Sequence, residues 1–271
     1  MTRVKTEGTN TKSRQQVTSV ERALSILELL ASKHQGLSTS DISRFAHVPK
    51  SSTSYLLRTL VGRGYVHRDA ETGQHTLGIR VLSLGGQAMQ GMALREVAVP
   101  HLRHIVDRTR FDAHLAILDH GEAVYIERVE GPGFIKMATW VGRRMVPHVT
   151  AVGKALICQL DQTEVKSLFE KHHLKPLTVK AITSLPKLLA ELSETRRRGY
   201  AIDDEESSDR VRSVAAPVMA PNGEVIAAIG ISGTVGQISD EHLARVGSVV
   251  RTAAMKLSGQ LGVRTGRPGR T

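Results

Sequence analysis

Three amphipathic segments and a short hairpin follow one another in the first third of the chain, and this order restricts the fold more than any other feature. Apolar residues recur at spacings of three and four over residues 20–33, which predicts a core helix. Ser38 and Asp41 stand in capping-box-like spacing at the start of a second helix, with Asp where Glu or Gln is usual. A third helix is expected after Pro49, because the missing N–H of proline costs nothing in a first turn. Gly64 is expected to end it.

A hairpin is predicted directly after the third helix. Residues 65–66 and 76–77 flank a polar turn centred on residues 71–74, a pattern typical of two short paired strands. Three helices followed by a hairpin are the elements of a winged helix-turn-helix. We place this domain at residues 18–80.

The third helix has two different sides. Leu56, Leu57 and Leu60 supply its buried side. Its first turns and outer surface carry short hydroxyls and long cations, which suit phosphates and base edges, although a solvated first turn would have a similar composition. The candidate DNA-binding residues are Lys50, Ser51, Ser52, Ser54, Tyr55 and Arg58 on this helix and Arg68 in the hairpin.

The charge balance favours a polyanionic partner without identifying one. The formal net charge is +11 and the isoelectric point is near 10.1, and phosphate contacts by Lys and Arg release counterions from DNA. Residues 1–80 contain twelve Lys or Arg against six Asp or Glu, whereas residues 81–271 contain twenty-five against twenty. The basic excess per residue is therefore larger in the first third.

Composition argues against a membrane or secreted protein. No apolar run approaches the ~20 residues that cross a bilayer. The first fifteen residues lack the apolar core of a signal peptide. The single cysteine, Cys158, lies among apolar residues, where a buried and inert thiol is expected. We therefore expect a cytoplasmic location and no membrane partner.

The second part of the chain mixes strands and helices. Residues 79–92 have helix-compatible apolar spacing, interrupted by two glycines at 85–86, which predicts a linker helix or a simple kinked connection. Alternating stretches then predict one hairpin around residues 120–121 and another around 221–223. Further helices are predicted between the hairpins, and a last one spans 239–261. This mixture indicates an α+β fold.

Six motifs spread over residues 20–262 point to one family. They are RALSILELLA from Arg22, PKSST from Pro49, GYVHRD from Gly64, PHVTAVGKAL from Pro147, RRRGYAIDDEE from Arg196, and SVAAPVMAPNGEVIAAIGISG from Ser213. Together they resemble the IclR family of bacterial transcription regulators. The resemblance implies that the third helix enters the major groove of DNA and that the hairpin, or wing, tracks the backbone.

The resemblance also implies the division of the chain. Similar regulators join their DNA-binding domain through a helix that pairs between subunits to a GAF-like α/β sensor domain. The implied segments are a disordered arm at 1–17, the winged helix-turn-helix at 18–80, a linker and dimerisation helix at 81–94, an effector-binding domain at 95–262 and a disordered basic tail at 263–271.

Two departures from the family pattern are informative. Ser54 and Tyr55 stand where members often have His-Arg, so we expect an operator unlike the best-known ones. Arg210 stands where members usually have glycine, two residues before Arg212.

The resemblance places an effector between the sheet and the helix that begins near Gly153-Lys154. At a helix start, free backbone N–H groups favour an anion. A small organic or aromatic acid is the expected ligand. A surface acid is the alternative for Asp203, and satisfied strand hydroxyls are the alternative for the two serines. The candidate effector-binding residues are Ala151, Val152, Asp203, Val211, Ser213 and Ser232, with Met137 and Trp140 as walls.

Enzyme chemistry is poorly supported. His148 replaces the first glycine of a phosphate loop and Ala155 its hydroxyl. His101 and His104 share a helical face but lack further ligands at clear spacing, so no metal or cofactor is expected. The acidic run 203–206 has no partner motif for acid–base catalysis, and such runs are usually solvated.

The sequence therefore predicts a sequence-specific DNA-binding regulator, a repressor of a catabolic operon, that acts as a homodimer or a dimer of dimers. A small acid would modulate its affinity for a double-stranded operator. A non-specific architectural DNA-binding protein and an enzyme with a DNA-binding appendage are the alternatives.

Overall fold

The computed structural model describes residues 17–33, 35–90, 92–133, 139–172 and 174–265. These form two compact units that divide between residues 91 and 92. The arm predicted at 1–17 lies outside the described residues except for Val17. The tail predicted at 263–271 lies outside them from residue 266 onwards, and its first three residues, 263–265, are helical and not disordered as predicted.

The first unit contains the three helices and the hairpin that the sequence predicts. Its elements are α1 (Thr18–Ala31), α2 (Thr39–Phe45), α3 (Lys50–Gly62), β1 (Val66–Arg68), β2 (His75–Leu77) and α4 (Ile79–Gln90). Its core consists of Ile26, Leu30, Ile42, Leu57, Leu60 and Val66. The winged helix-turn-helix is therefore confirmed.

Local polar contacts set the helix ends of this unit. The Ser38 hydroxyl accepts a hydrogen bond from the Asp41 backbone N–H at 3.1 Å and donates one to the Asp41 carboxylate at 2.7 Å, so the predicted cap is present. After α3, Gly64 adopts a left-handed backbone with φ of 78°. This conformation lets the chain turn directly into the wing.

A contact outside the predicted hairpin enlarges the wing. Leu37 and His75 exchange backbone hydrogen bonds of 3.0 and 2.8 Å, which adds a one-residue bridge beside β2. His75 is buried, and its Nδ1 lies 3.3 Å from the carbonyl oxygen of Leu37. Burial lowers the pKa of His75. The loop before α2 is thereby fixed to the wing.

The helix predicted over residues 79–92 is present as α4, and it continues through Gly85 and Gly86. None of its described residues is buried within the unit, and Ile79, Leu82 and Leu84 expose their side chains. Apolar side chains that find no core in their own unit are typical of a surface that pairs with another chain.

The second unit is built on one antiparallel sheet. Its elements are α5 (Ala93–Thr109), β3 (Asp112–Asp119), β4 (Glu122–Val129), β5 (Arg144–Met145), a 3-10 turn (Pro147–Val149), α6 (Ala151–Ile157), α7 (Gln162–His172), α8 (Leu185–Arg198), β6 (Ala201–Asp204), β7 (Val211–Met219), β8 (Val225–Thr234) and α9 (Asp240–Thr265). The strand order is β5-β4-β3-β8-β7-β6. Both predicted hairpins, β3–β4 and β7–β8, are present.

Helices cover both faces of this sheet. Helices α5 and α9 pack on one face, where the core includes Leu102, Ile105 and Val250. Helices α6, α7 and α8 pack on the other, around Leu156, Phe169 and Leu188. The predicted α+β class is confirmed. No helix in the described ranges is long and apolar enough to span a bilayer.

Candidate functional site

The buried hydroxyl of Thr53 fixes the start of α3 to the turn that precedes it. Thr53 is buried and its Oγ1 lies 3.2 Å and 3.1 Å from the carbonyl oxygens of Val48 and Pro49. Leu57 and Leu60 lie on the same buried side of the helix. The first turn of α3 is therefore anchored to the turn that precedes it.

The seven residues predicted to contact DNA all reach solvent. Six are exposed and Ser52 is half-buried. Tyr55 is 67% exposed, which is unusual for an aromatic side chain without a binding role. Arg68 lies at the end of β1, on the wing. The hydroxyls, the aromatic ring and the arginines thus form two exposed surfaces, one on α3 and one on the wing.

The wing tip is ordered by a side chain that sequence reasoning did not single out. The Asp69 carboxylate accepts hydrogen bonds from the Glu71 and Thr72 backbone N–H groups at 3.1 and 2.7 Å. It also accepts one from the Thr72 hydroxyl at 2.8 Å. These bonds lower the pKa of Asp69. The signal was available, since Asp is favoured where a turn leaves N–H groups free.

A cavity of about 100 Å³ lies between the sheet of the second unit and the start of α6. Residues from distant parts of the sequence line it together. The six predicted effector-binding residues among them are Ala151, Val152, Asp203, Val211, Ser213 and Ser232.

The two predicted wall residues have different outcomes. Met137 lies outside the described residues. Trp140 is 53% exposed and is not among the residues that line the cavity. Its ring instead lies 4.9 Å from the guanidinium of Arg143, which does line the cavity. The turn at Gly142, with φ of 89°, directs the chain back between these two side chains.

Four polar residues form a row across the sheet. The strand register pairs Asp112 with Ser232, Ser232 with Ser213, and Ser213 with Asp203. The hydroxyls of Ser213 and Ser232 are 2.9 Å apart, and Ser232 Oγ is 3.5 Å from Nε2 of His114. The two serines are thus partly satisfied by each other, as the alternative interpretation expected, and they also face the cavity.

Asp203 is 1% exposed, which excludes its interpretation as a surface acid. Its carboxylate accepts hydrogen bonds from the backbone N–H groups of Glu206 and Ser207 at 2.8 and 3.2 Å. The Ser207 hydroxyl donates a third bond at 2.5 Å. Burial raises the pKa of Asp203, and these bonds oppose that effect.

The rest of the acidic run is paired rather than merely solvated. Asp204 binds Arg212 at 2.8 Å, and Glu205 binds Lys180. Glu206 binds Lys154, which is buried at the start of α6. Burial raises the pKa of Glu206 to about 7. The run therefore fixes the loop after β6 under the cavity.

This ion pair also accounts for the Gly-Lys motif. The ammonium group of Lys154 donates a hydrogen bond to the carboxylate of Glu206, so the motif is not used as a phosphate loop. Gly153 lies against Pro147, where an added Cβ would come within 2.4 Å of backbone atoms. The Thr150 hydroxyl accepts a hydrogen bond from the Gly153 N–H at 3.1 Å. The motif therefore allows the first turn of α6 to pack closely against the preceding 3-10 turn.

His114 and Tyr125 line the cavity, and sequence reasoning missed both. Their rings meet edge to face with centroids 5.2 Å apart. His114 is buried, and burial lowers its pKa to about 4, so the ring is neutral. In the part of the chain that the structure describes, its Nδ1 has no hydrogen-bond partner. A lone histidine in the apolar strand FDAHLAILD was the available signal.

The remaining candidates for chemistry have structural roles. The ring Nε2 of His101 lies 2.9 Å from the amide oxygen of Gln260. Cys158 is buried, and burial raises its pKa to about 11, so its thiol stays protonated at neutral pH. Within the described ranges, no three His, Cys, Asp or Glu residues are grouped to hold a metal.

Arg210 occupies a conformation that favours glycine. Its φ is 60°, in the left-handed region that costs a non-glycine residue roughly 1–2 kcal/mol. This is the position where the family pattern has glycine. The departure seen in the sequence is therefore a strained residue in the loop before β7.

A winged helix-turn-helix followed by a sheet domain with a polar cavity defines a ligand-responsive DNA-binding regulator. Family models agree for both units. The model of the IclR helix-turn-helix domain matches residues 19–70, and that of the bacterial transcriptional regulator IclR C-terminal domain matches residues 86–259. The chain belongs to the IclR family of bacterial transcriptional regulators.

Individual relatives cover nearly the whole chain. The HTH-type transcriptional regulator XynR of Escherichia coli is 36% identical over 246 residues, which are 91% of this chain and 98% of that protein. The acetate operon repressor of Salmonella typhimurium is 30% identical, covering 90% and 89%. A crystal structure of an IclR transcriptional regulator from Alicyclobacillus acidocaldarius has a TM-score of 0.79 at 26% identity, covering 91% of this chain and all of that one.

Proposed function

We propose that this regulator represses a catabolic operon and that a small organic acid in the cavity of the second unit changes its affinity for the operator. The observation that carries the proposal is the polar cavity, which six predicted residues line together with His114. Small-molecule sites are concave and carry a few convergent polar groups, and this lining supplies them. One relative is named as an operon repressor, which supports repression.

Sequence-specific DNA binding is assigned to α3 and the wing. We propose that Lys50, Arg58 and Arg68 contact phosphates, and that Tyr55 and the serines of α3 contact base edges. A non-specific architectural protein would need no exposed, rigidly seated α3 of this kind. The ligand is proposed to act as a signal and not to be consumed, because relatives that cover most of this chain are named as transcriptional regulators.

The regulator is proposed to act in the cytoplasm as a homodimer or a dimer of dimers. The exposed apolar side chains of α4 support pairing between chains, and a two-fold dimer matches a pseudo-palindromic operator. Sedimentation is expected to show a dimer or tetramer. A monomer at micromolar concentration with DNA present would contradict this assembly.

The test is operator binding with and without acid. An operator is first selected from random DNA, and its affinity is then measured by gel retardation in the presence of acetate, propionate, lactate, glycerate or benzoate. At least one acid is expected to change the affinity by about 5- to 150-fold, the usual range of allosteric coupling. If no selected sequence emerges, specific DNA binding is wrong. If no acid changes the affinity, the effector role of the cavity is wrong.

A further inference from the structure

One cation that lines the cavity is not neutralised. Arg143 is half-buried, and its guanidinium lies over the Trp140 ring. Among the residues that the structure describes, this guanidinium makes no hydrogen bond or ion pair. The next residue is a contrast, because Arg144 binds both Glu122 and Asp119 at 2.6 and 2.9 Å. A cavity cation without a counter-ion is a binding point for an anion.

The cavity also contains the carboxylate of Asp203, whose three hydrogen-bond donors favour the ionised form, and it comes from the other edge of the sheet. Arg143 precedes the edge strand β5, whereas Asp203 belongs to the opposite edge strand β6. Both residues line the same cavity, so a ligand there can contact residues from the two edges of the sheet. Burial raises the pKa of Tyr125, Arg143 opposes this effect and Asp203 adds to it, so both charges act on the same phenol. A ligand here meets a cation on one side and a carboxylate on the other.

An acid that has one carboxylate and no hydroxyl can pair with Arg143, but it offers no hydrogen-bond donor to Asp203. A second carboxylate would be repelled by Asp203, whereas a ligand hydroxyl can donate a hydrogen bond to it. Hydroxyls also outnumber apolar side chains around the cavity. They belong to Thr139, Thr150, Ser207, Ser208, Ser213 and Ser232.

The chemistry of the lining limits the ligand further. An aromatic ring would leave the buried hydroxyls and Asp203 without new partners. A short aliphatic chain with its own hydroxyls avoids this cost.

We propose that the cavity binds a short hydroxy acid, whose carboxylate pairs with the guanidinium of Arg143 and whose hydroxyl donates a hydrogen bond to the carboxylate of Asp203. The proposal rests on the proposed function, in which the occupant of this cavity is the effector. It narrows that function from organic acids in general to hydroxylated three- or four-carbon acids, and it assigns the carboxylate to a residue that sequence reasoning missed.

The first test uses three acids with the same number of carbon atoms. Propionate, lactate and glycerate carry zero, one and two hydroxyls, and glycerol carries hydroxyls without a carboxylate. Calorimetry and the fluorescence of Trp140, the only tryptophan, are expected to show affinity rising about 5- to 10-fold per hydroxyl. Glycerol and benzoate are expected to bind weakly or not at all. Propionate or benzoate binding as tightly as glycerate would overturn the proposal.

The second test separates the two charged residues. Arg143→Gln is expected to weaken glycerate binding on the order of 10- to 100-fold. The matched control Arg144→Gln removes the neighbouring charge outside the cavity and should change little. Asp203→Asn keeps an oxygen for the Glu206 and Ser207 N–H groups, and it should reduce the preference for glycerate over propionate. Equal losses in the two arginine variants would contradict the role of Arg143.

The outcomes distinguish this inference from the function on which it rests. If propionate or benzoate releases DNA while hydroxy acids do not, the effector role stands and the ligand class is wrong. If none of the acids binds, both are wrong. Should Asp203→Asn fail to fold, the three-acid series on the unaltered protein still decides the question.

Discussion

The outer surface of α3 and the cavity of the second unit are made of similar side chains that are used in opposite ways. On α3, hydroxyls, Tyr55 and Arg58 are exposed, and they rest on a small apolar core that Thr53 locks from below. In the cavity, Asp203, His114, Ser213 and Ser232 are buried, and each makes a hydrogen bond inside the unit. The comparison teaches that DNA contacts can change at little cost to stability, whereas ligand contacts belong to the structure that keeps the unit folded.

The largest effect is expected at the buried ion pair. At pH 8 Glu206 is mostly ionised beside Lys154, which lowers its pKa, and Lys154→Met would force the buried carboxyl either to stay charged without a partner or to take up a proton, at a cost of about 3 kcal/mol in the free energy of unfolding. Urea unfolding followed by Trp140 fluorescence measures this in the second unit. Because the raised pKa of Glu206 lets its carboxyl take up a proton, the penalty should be smaller at pH 5.

The double variant Lys154→Met/Glu206→Leu is the control, since it replaces both charges with apolar groups. It should recover most of the lost stability. If the free energy of unfolding of Lys154→Met at pH 8 lies within ~0.5 kcal/mol of the unaltered protein, as for a surface substitution, the buried polar groups are dispensable. The contrast between the cavity and the α3 surface would then be wrong.

A medium effect is expected on the α3 surface, and on binding alone. Arg58→Ala should weaken both the selected operator and random DNA about tenfold, and it should lower the salt slope by ~0.9 if one phosphate contact is lost. Its stability should stay within ~0.5 kcal/mol of the unaltered protein. Arg103→Ala, which removes an exposed helical charge from the second unit, is the matched control. Equal effects of the two substitutions would show that only net charge matters.

The smallest effect is expected at Arg210. Glycine relieves the left-handed strain but loses more entropy on folding, so Arg210→Gly should stabilise the second unit by about 0.5–1 kcal/mol. The hydrogen bond from its backbone N–H to Glu205 does not depend on the side chain. Asp209→Gly lies outside the positive-φ region and should destabilise instead. Equal changes in the free energy of unfolding of Arg210→Gly and Asp209→Gly would show that backbone strain at Arg210 does not explain the effect.

Local features of the fold were predictable from the sequence, and contacts between distant segments were not. The Ser38 cap, the hairpins and α1 to α3 depend on residues within a few positions of one another. The bridge of Leu37 to His75 and the strand β6 depend on pairing that periodicity does not record. Helix α4 also follows from local apolar spacing, and it is present over Ile79–Gln90.

The candidate cavity was partly predictable because the family resemblance named residues of β6, β7, β8 and α6. It did not indicate Arg143 or His114, whose positions follow from the register of β3, β4 and β5. Trp140 was misplaced because its side chain stacks with Arg143 instead of facing the cavity. The acidic run was expected to be solvated, and its partners Lys154, Lys180 and Arg212 lie on other segments.

Reciprocal coupling between DNA and ligand tests the central claim most directly. Glycerate is titrated into the protein by calorimetry with and without the selected operator, and operator affinity is measured with and without saturating glycerate. The account predicts that both affinities change by the same factor, about 5- to 150-fold, as linkage requires. Identical glycerate affinity with and without operator would contradict an effector-controlled regulator.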